Sequence, residues 1–178
     1  VGRNGAGKTT VMRTITGLAG MSAGKVFWND EDISDMAPRD RARLGFGYMP
    51  EDRRLVPDLT VEENMLLPAW ANDEIDGPKG LEFVYDLMPE LTKMASRKAL
   101  LLSGGQQKMV ALGRALIAGG KLLLLDEPFE GVAPALAKRI SEVITSLKGE
   151  GLSVRIARSE LSHSVDLLQR ESVIERGE

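Results

Sequence analysis

Residues 2–9 read Gly-Arg-Asn-Gly-Ala-Gly-Lys-Thr, and from Lys8 onward the apolar positions Val11, Ile15 and Leu18 recur at helical spacing. Glycines in such a run let consecutive backbone N–H groups wrap phosphate oxygens. The helix that follows points its positive end at the same place. The pattern is that of a phosphate-binding loop (P-loop), with Gly2, Asn4, Gly5, Ala6, Gly7, Lys8, Thr9 and Thr10 as nucleotide contacts. Lys8 would reach the β- and γ-phosphates, and the Thr9 hydroxyl would face Mg²⁺ at the β–γ edge. The competing reading, a glycine-rich turn capping an ordinary helix, has to be decided by the rest of the chain.

After that helix, Gly20 to Gly24 break the pattern before Lys25-Val26-Phe27-Trp28, read as a strand. A short apolar run at residues 45–49 is stopped by Pro50. Residues 60–99 are mostly helical in pattern, with Pro68, Pro78 and Pro89 as interruptions. A helix from about Ser103 to Ala118 and a four-leucine strand at residues 122–125 follow. A further helix from Pro134 to about Lys148 places Leu136, Ile140, Val143, Ile144 and Leu147 on one face. Strands alternating with helices imply a largely parallel sheet covered on both faces, with chemistry at the carboxyl ends of its strands.

The leucine strand ends in Asp126-Glu127, a Walker B pattern. A buried strand there delivers Asp126 to hold Mg²⁺ and Glu127 to polarise a water as general base. A solvated acidic turn is the bland alternative, and it loses weight beside a P-loop. Leu102-Ser103-Gly104-Gly105-Gln106 stands just before a helical segment, so the Ser103 hydroxyl and glycine amides form either a plain N-cap or a second anion-binding helix terminus.

With Lys and Arg totalling 23 against 26 for Asp and Glu, and no basic block, the electrostatic footprint of a nucleic-acid binder is absent. Absence of cysteine excludes disulfides and thiolate zinc sites. No apolar run approaches the roughly 18 residues of a spanning helix, so a membrane connection would come through a partner. Val1-Gly2 lacks an initiating Met and runs straight into a motif, so the chain reads as a fragment.

The Leu102–Gln106 run is similar to the signature of ATP-binding-cassette (ABC) ATPases. It stands between a P-loop and a Walker B segment as that family requires, with 95 residues from Lys8 to Ser103 and 23 from Ser103 to Asp126. The resemblance covers residues 1–178. It implies an α/β P-loop NTPase of the ABC ATPase type, N-terminally truncated, with a helical subdomain at about residues 60–100. It also implies two cassettes packed head to tail, so that Ser103, Gly104, Gly105 and Gln106 act in trans on ATP. The P-loop, Asp126 and Glu127 would act in cis. The implied cofactors are ATP and Mg²⁺, with Thr9, Asp126 and Glu51 toward the metal and Glu127 and Lys8 in catalysis. The implied partners are a second ATPase subunit and transmembrane permease subunits, at the cytoplasmic face of the membrane.

Three positions depart from the commonest family pattern. Glu51 stands where a glutamine is usual, Ala133 where an aspartate is, and Ser159 where a histidine would sense the γ-phosphate. His163, the sole histidine, reads as an ordinary helix residue. Glu51, the Gly131-Val132-Ala133-Pro134 loop and Leu59-Thr60-Val61-Glu62-Glu63-Asn64 together resemble ATPase subunits of branched-chain amino acid importers. The expected function is therefore ATP hydrolysis energising such an importer. One alternative is a partly degenerate cassette that dimerises on ATP and gates with little turnover. Another is a cassette ATPase of translation or DNA repair, which would carry a second cassette or a long coiled insertion. Arg155 interrupts the apolar run at residues 153–157, so that strand is expected at a sheet edge or beside an acidic partner. Arg53 and Arg54 could contact a partner or be solvated; the solvated reading is favoured and neither is assigned a role.

Overall fold

The computed structural model describes residues 1–3, 5–147, 151–159 and 172–174; Asn4 and His163 lie outside them. Helix α1 (Lys8–Ile15) starts at Gly7, whose φ of 103° is open to glycine and has no side-chain cap. Its buried face is Lys8 and Met12, with Ile15 packed beside them. Val11 and Leu18 are each 44% exposed, so of the three apolar positions only Ile15 packs inward. The reason is that the phosphate-loop lysine itself occupies the inward position, and Leu18 lies beyond the helix end. Strands β1 (Phe27–Trp28) and β2 (Glu31–Asp32) form a hairpin through Asn29 and Asp30 at φ 49° and 66°, the double left-handed turn that short hairpins favour. Helix α2 (Pro38–Arg43) carries the buried Arg41, whose guanidinium donates to the Thr14 and Ile15 carbonyls at 2.7 and 2.9 Å. That contact caps the C-terminal end of α1 and fixes the helix that forms the phosphate loop's far side.

Strand β3 (Phe46–Met49) leads to three helices, α3 (Val61–Ala71), α4 (Gly77–Leu87) and α5 (Pro89–Thr92). Pro78 and Pro89 sit in first turns, where a missing N–H is harmless. Pro68, expected to interrupt, lies inside α3 instead. The helix tolerates the loss because its start is fixed by a capping box between Thr60 and Glu63 and its body packs on the next long helix. The buried Asn64 also binds the loop before it, accepting from the Val56 N–H at 2.8 Å and donating to the Thr60 carbonyl at 2.9 Å.

After a short 3₁₀ turn (Ala99–Leu101) come α6 (Gly104–Ala118), β4 (Leu122–Asp126), α7 (Pro134–Ser146) and β5 (Ser153–Ala157). The strands form a parallel sheet in the order β3-β4-β5, with Met49 opposite Leu125 and Asp126 opposite Ala157. Every residue of β4 is buried, and its leucines alternate between two cores. Leu123 and Leu125 join Met65, Val84, Leu112 and Ile140 from the helices on one face. Leu122 and Leu124 join Met12, Ile33 and Phe46 on the other. Both faces are covered, as a parallel sheet requires. Among the described residues β5 is an edge strand and Arg155 is exposed, which resolves its charge without an acidic partner. Where α6 meets β3 the backbones touch. A Cβ on Gly47 would lie 2.1 Å from the Ala115 carbonyl oxygen, and one on Gly119 would lie 2.9 Å from the Gly47 nitrogen. This close seat brings α6 against the strand that leads into Glu51.

Candidate active site

The N-terminus of α1, the end of β4 and the residue two past β3 converge on a cleft of about 370 Å³ lined by Gly5, Gly7, Lys8, Thr9, Thr10, Glu51 and Glu127. Gly5 and Gly7 take φ of 82° and 103°, so the loop bends in a way that side-chain-bearing residues resist. Gly2 and Ala6, also expected at the nucleotide, lie buried. Their amides are used internally, Gly2 N–H to the Arg158 carbonyl at 3.2 Å and Ala6 N–H to the Arg3 carbonyl at 3.0 Å.

Lys8 is 7% exposed and folded back over its own loop, donating to the Gly2 and Arg3 carbonyls at 2.8 and 3.1 Å. Its ammonium also lies 3.3 Å from Glu127 Oε1 and donates to Ser159 Oγ at 3.1 Å. Glu127 is equally buried at 7%, and its backbone takes a left-handed φ of 47° while its N–H donates to the Ala157 carbonyl at 2.9 Å. Ser159 grips the Glu127 carboxylate twice, with Oγ–H to Oε1 at 2.5 Å and N–H to Oε2 at 3.1 Å. Two buried opposite charges hold each other because neither could stand alone in so dry a place.

Asp126 is fully buried, and among the described residues its Oδ1 has no hydrogen-bond partner; Tyr48 Oη–H reaches Oδ2 at 3.4 Å. Burial pushes the Asp126 carboxyl above its ordinary range, the Thr9 hydroxyl opposing this and the Glu127 charge adding to it. Tyr48 is pushed up to about 12, by burial first and then by the Asp126 charge. Glu51 is raised by desolvation and then by Glu130, Asp126 and Glu127. A surplus of negative charge with an unpartnered carboxylate oxygen is a place that a hard cation would relieve. Among the described residues no three His, Cys, Asp or Glu side chains make a metal cage by themselves. Mg²⁺ commonly takes one or two carboxylates with phosphate oxygens, so Asp126 with the Thr9 hydroxyl fits that donor set.

Residues 1–130 match the ABC transporter family model. The chain is 35% identical over 177 residues to the high-affinity branched-chain amino acid transport ATP-binding protein BraG of Pseudomonas aeruginosa, covering 99% of this chain and 76% of that protein. This chain belongs to the ABC transporter family. It is an ABC ATPase subunit, and its fold is that of a P-loop NTPase. The lipopolysaccharide export system ATP-binding protein LptB of Haemophilus influenzae is also 35% identical, over 99% of this chain and 74% of that one. A nucleotide-free ATP-binding cassette from an ABC transporter superposes with a TM-score of 0.85 at 28% identity, covering 99% of this chain and 75% of that one. The ADP conformation of the cassette MJ1267 gives 0.80 at 28% identity, over 99% and 75%.

In this ABC cassette the signature residues Ser103, Gly104, Gly105 and Gln106 do not line the P-loop cleft. Ser103 instead caps α6, accepting from the Gln106 N–H at 3.3 Å while its own N–H donates to Gln106 Oε1 at 3.0 Å. A Cβ on Gly105 would lie 2.5 Å from Leu136, so the terminus is docked closely on α7. Arg53, read as solvated, is half-buried and donates to the Gly104 carbonyl at 3.2 Å, tying the loop after β3 to the signature. Arg54 is exposed, as expected. Ala133 is the N-cap of α7 and makes no side-chain cap.

Two residues beside the site have no counterpart in the motifs, and a third does more than its departure from the family pattern implies. Tyr48 and Lys108 carry no motif signal, because their partners are brought in only by sheet register and helix packing. Ser159 was marked as a missing histidine, yet it binds both Lys8 and Glu127.

Proposed function

We propose that this ABC ATPase binds ATP at the Gly2–Thr10 loop and hydrolyses it at the interface with a second ATPase subunit, energising a permease that imports branched-chain or similar amino acids. The observation that carries the catalytic part is Glu127, buried and gripped by Ser159 and Lys8 at the mouth of the phosphate loop. With the γ-phosphate present, the Lys8 ammonium turns from the Gly2 and Arg3 carbonyls to the phosphate oxygens, and the backbone amides lining the cleft add their dipoles. Glu127 then orients a water whose oxygen attacks the γ-phosphorus. The bond to the bridging oxygen breaks, and the water's proton passes to the Glu127 carboxylate. Ser159 keeps that carboxylate aimed, taking the place in the site where the family's histidine is expected. Thr9 and Asp126, with Glu51 beside them, would hold Mg²⁺, which would supply positive charge at the β–γ edge.

Ser103, Gly104, Gly105 and Gln106 would close over the partner subunit's ATP, since they stand away from their own cleft. Solute class rests on Glu51, the Gly131–Pro134 loop and residues 59–64, and on the similarity to BraG. LptB is as similar in identity, so export of a lipidic solute is the second reading. Rescue of leucine uptake in a cell lacking its own importer ATPase separates the two.

The catalytic proposal is tested by steady-state Mg-ATP hydrolysis of the wild-type protein against Glu127→Gln, with ATP binding measured in parallel. Turnover should fall about 100-fold or more while binding survives. Equal, negligible turnover in both with ATP-driven dimerisation intact would replace the reading with a gating module.

A further inference from the structure

The signature helix carries a buried lysine that nucleotide binding does not use. Lys108 is 5% exposed on α6, next to the buried Met109, Val110, Ala111 and Leu112. Its ammonium donates to the Glu127 carbonyl at 2.7 Å and to the Glu130 carbonyl at 2.5 Å. Those two residues bracket the turn that leaves β4, and the Glu130 N–H also donates to the Glu127 carbonyl at 3.2 Å. Lys108 therefore clamps both ends of one turn.

The turn needs a clamp. Glu127 stands at φ 47°, a left-handed backbone that residues with a Cβ seldom adopt. From that backbone its side chain reaches Ser159 and Lys8. Burial disfavours the charged ammonium and lowers the Lys108 pKa, with the Glu130 charge opposing that and the Arg53 charge adding to it. A methionine of similar length would fill the space without that penalty, so packing alone does not account for a lysine here. What a cationic donor supplies and a methionine cannot is the hold on two backbone carbonyls.

We propose that Lys108 is a positioning residue for the catalytic base, holding the Glu127 backbone in the conformation that aims its carboxylate. The proposal rests on the reading of Glu127 as base. Since Lys108 lies on the helix that Ser103 caps, it also gives the signature helix a direct mechanical hold on the base of its own chain.

Lys108→Met keeps length and removes the donors, while Lys108→Arg keeps a buried cation with donors to spare. Each is compared with wild type for kcat, KM, directly measured ATP affinity and melting temperature, with Glu127→Gln alongside. The expected result for Lys108→Met is a kcat at least tenfold lower with ATP affinity within threefold. Lys108→Arg should recover most of the loss, and Lys108→Met should cost nothing further in a Glu127→Gln background. A folded Lys108→Met with kcat within twofold of wild type overturns the proposal. So does an equal fall in affinity and kcat, or a loss matched by the unfolded fraction. Should Lys108→Met fail to fold, Lys108→Gln, with one amide in place of the ammonium, is judged on the same split between kcat and affinity. Retained turnover in Glu127→Gln removes both the base assignment and this proposal. Abolished turnover there with unaffected Lys108→Met removes this proposal alone.

Discussion

Two helix N-termini in this ABC ATPase have opposite internal arrangements. At α1 the N-cap is Gly7 at φ 103°, with no side chain to satisfy the first amides. At α6 the N-cap is Ser103, which with Gln106 closes a capping box. An uncapped terminus leaves its first amides open, so a ligand that binds there displaces no capping side chain. A boxed terminus is stable alone, and an anion arriving at it must compete with Gln106. The difference teaches how one chain could divide the work: on the proposed function, the first terminus would hold nucleotide within its own chain. On the proposed function, the second would wait for a nucleotide that another chain brings.

The largest way to break this contrast is to give α1 a side chain at its cap. Gly7→Ala places a Cβ at a positive φ, which should lower stability by roughly 1–2 kcal/mol. ATP affinity should fall about tenfold as the loop moves away from phosphate; calorimetry and urea unfolding read both effects.

A smaller test separates caps that bind a ligand from caps that only cap. Thr60 and Glu63 form the same box at α3, and neither lines the P-loop cleft. Ser103→Ala and Thr60→Ala should each lose about 1 kcal/mol in urea unfolding. Only Ser103→Ala should lower turnover per folded molecule; matching turnover in the two variants would make Ser103 a plain cap.

The smallest effect is electrostatic. The Thr60 backbone N–H, followed by its hydroxyl, holds the Glu63 carboxyl below its ordinary value of 4.5. A depressed carboxyl contributes stability above its unfolded value and loses it as pH falls through the folded one. Wild type should therefore lose ground to Glu63→Gln as pH drops below about 4.5. A difference that stays constant with pH would contradict the assignment.

Much of this was legible from residues alone, for physical reasons. A run of four leucines ending in Asp126-Glu127 can hardly be other than a buried strand delivering carboxylates, and β4 is that strand. Glycines and a lysine before a helix likewise announce the phosphate loop. What stayed hidden depends on contacts remote in sequence or on residues with no apolar signal. Strand β2 consists of Glu31 and Asp32, both exposed, and is defined only by its hairpin turn. Pro68 reads as a stop, but the capping box at the start of α3 and the packing of its body on α6 override it. Lys108 carries no signal in the sequence, because its partners are the Glu127 and Glu130 carbonyls of the turn after β4. Ser159 reads as a loss until the Glu127 carboxylate is seen in its grasp.

The division of labour between the two termini is tested most directly by mixing two inactive variants. Lys8→Met disables the phosphate loop and keeps the signature; Ser103→Arg blocks the signature and keeps the loop. A head-to-tail dimer of one of each holds one site with both parts intact. ATP hydrolysis by an equimolar mixture should recover to roughly a quarter of wild type, since about half the dimers are mixed and each has one of two sites. A mixture no more active than the sum of its parts would contradict the account.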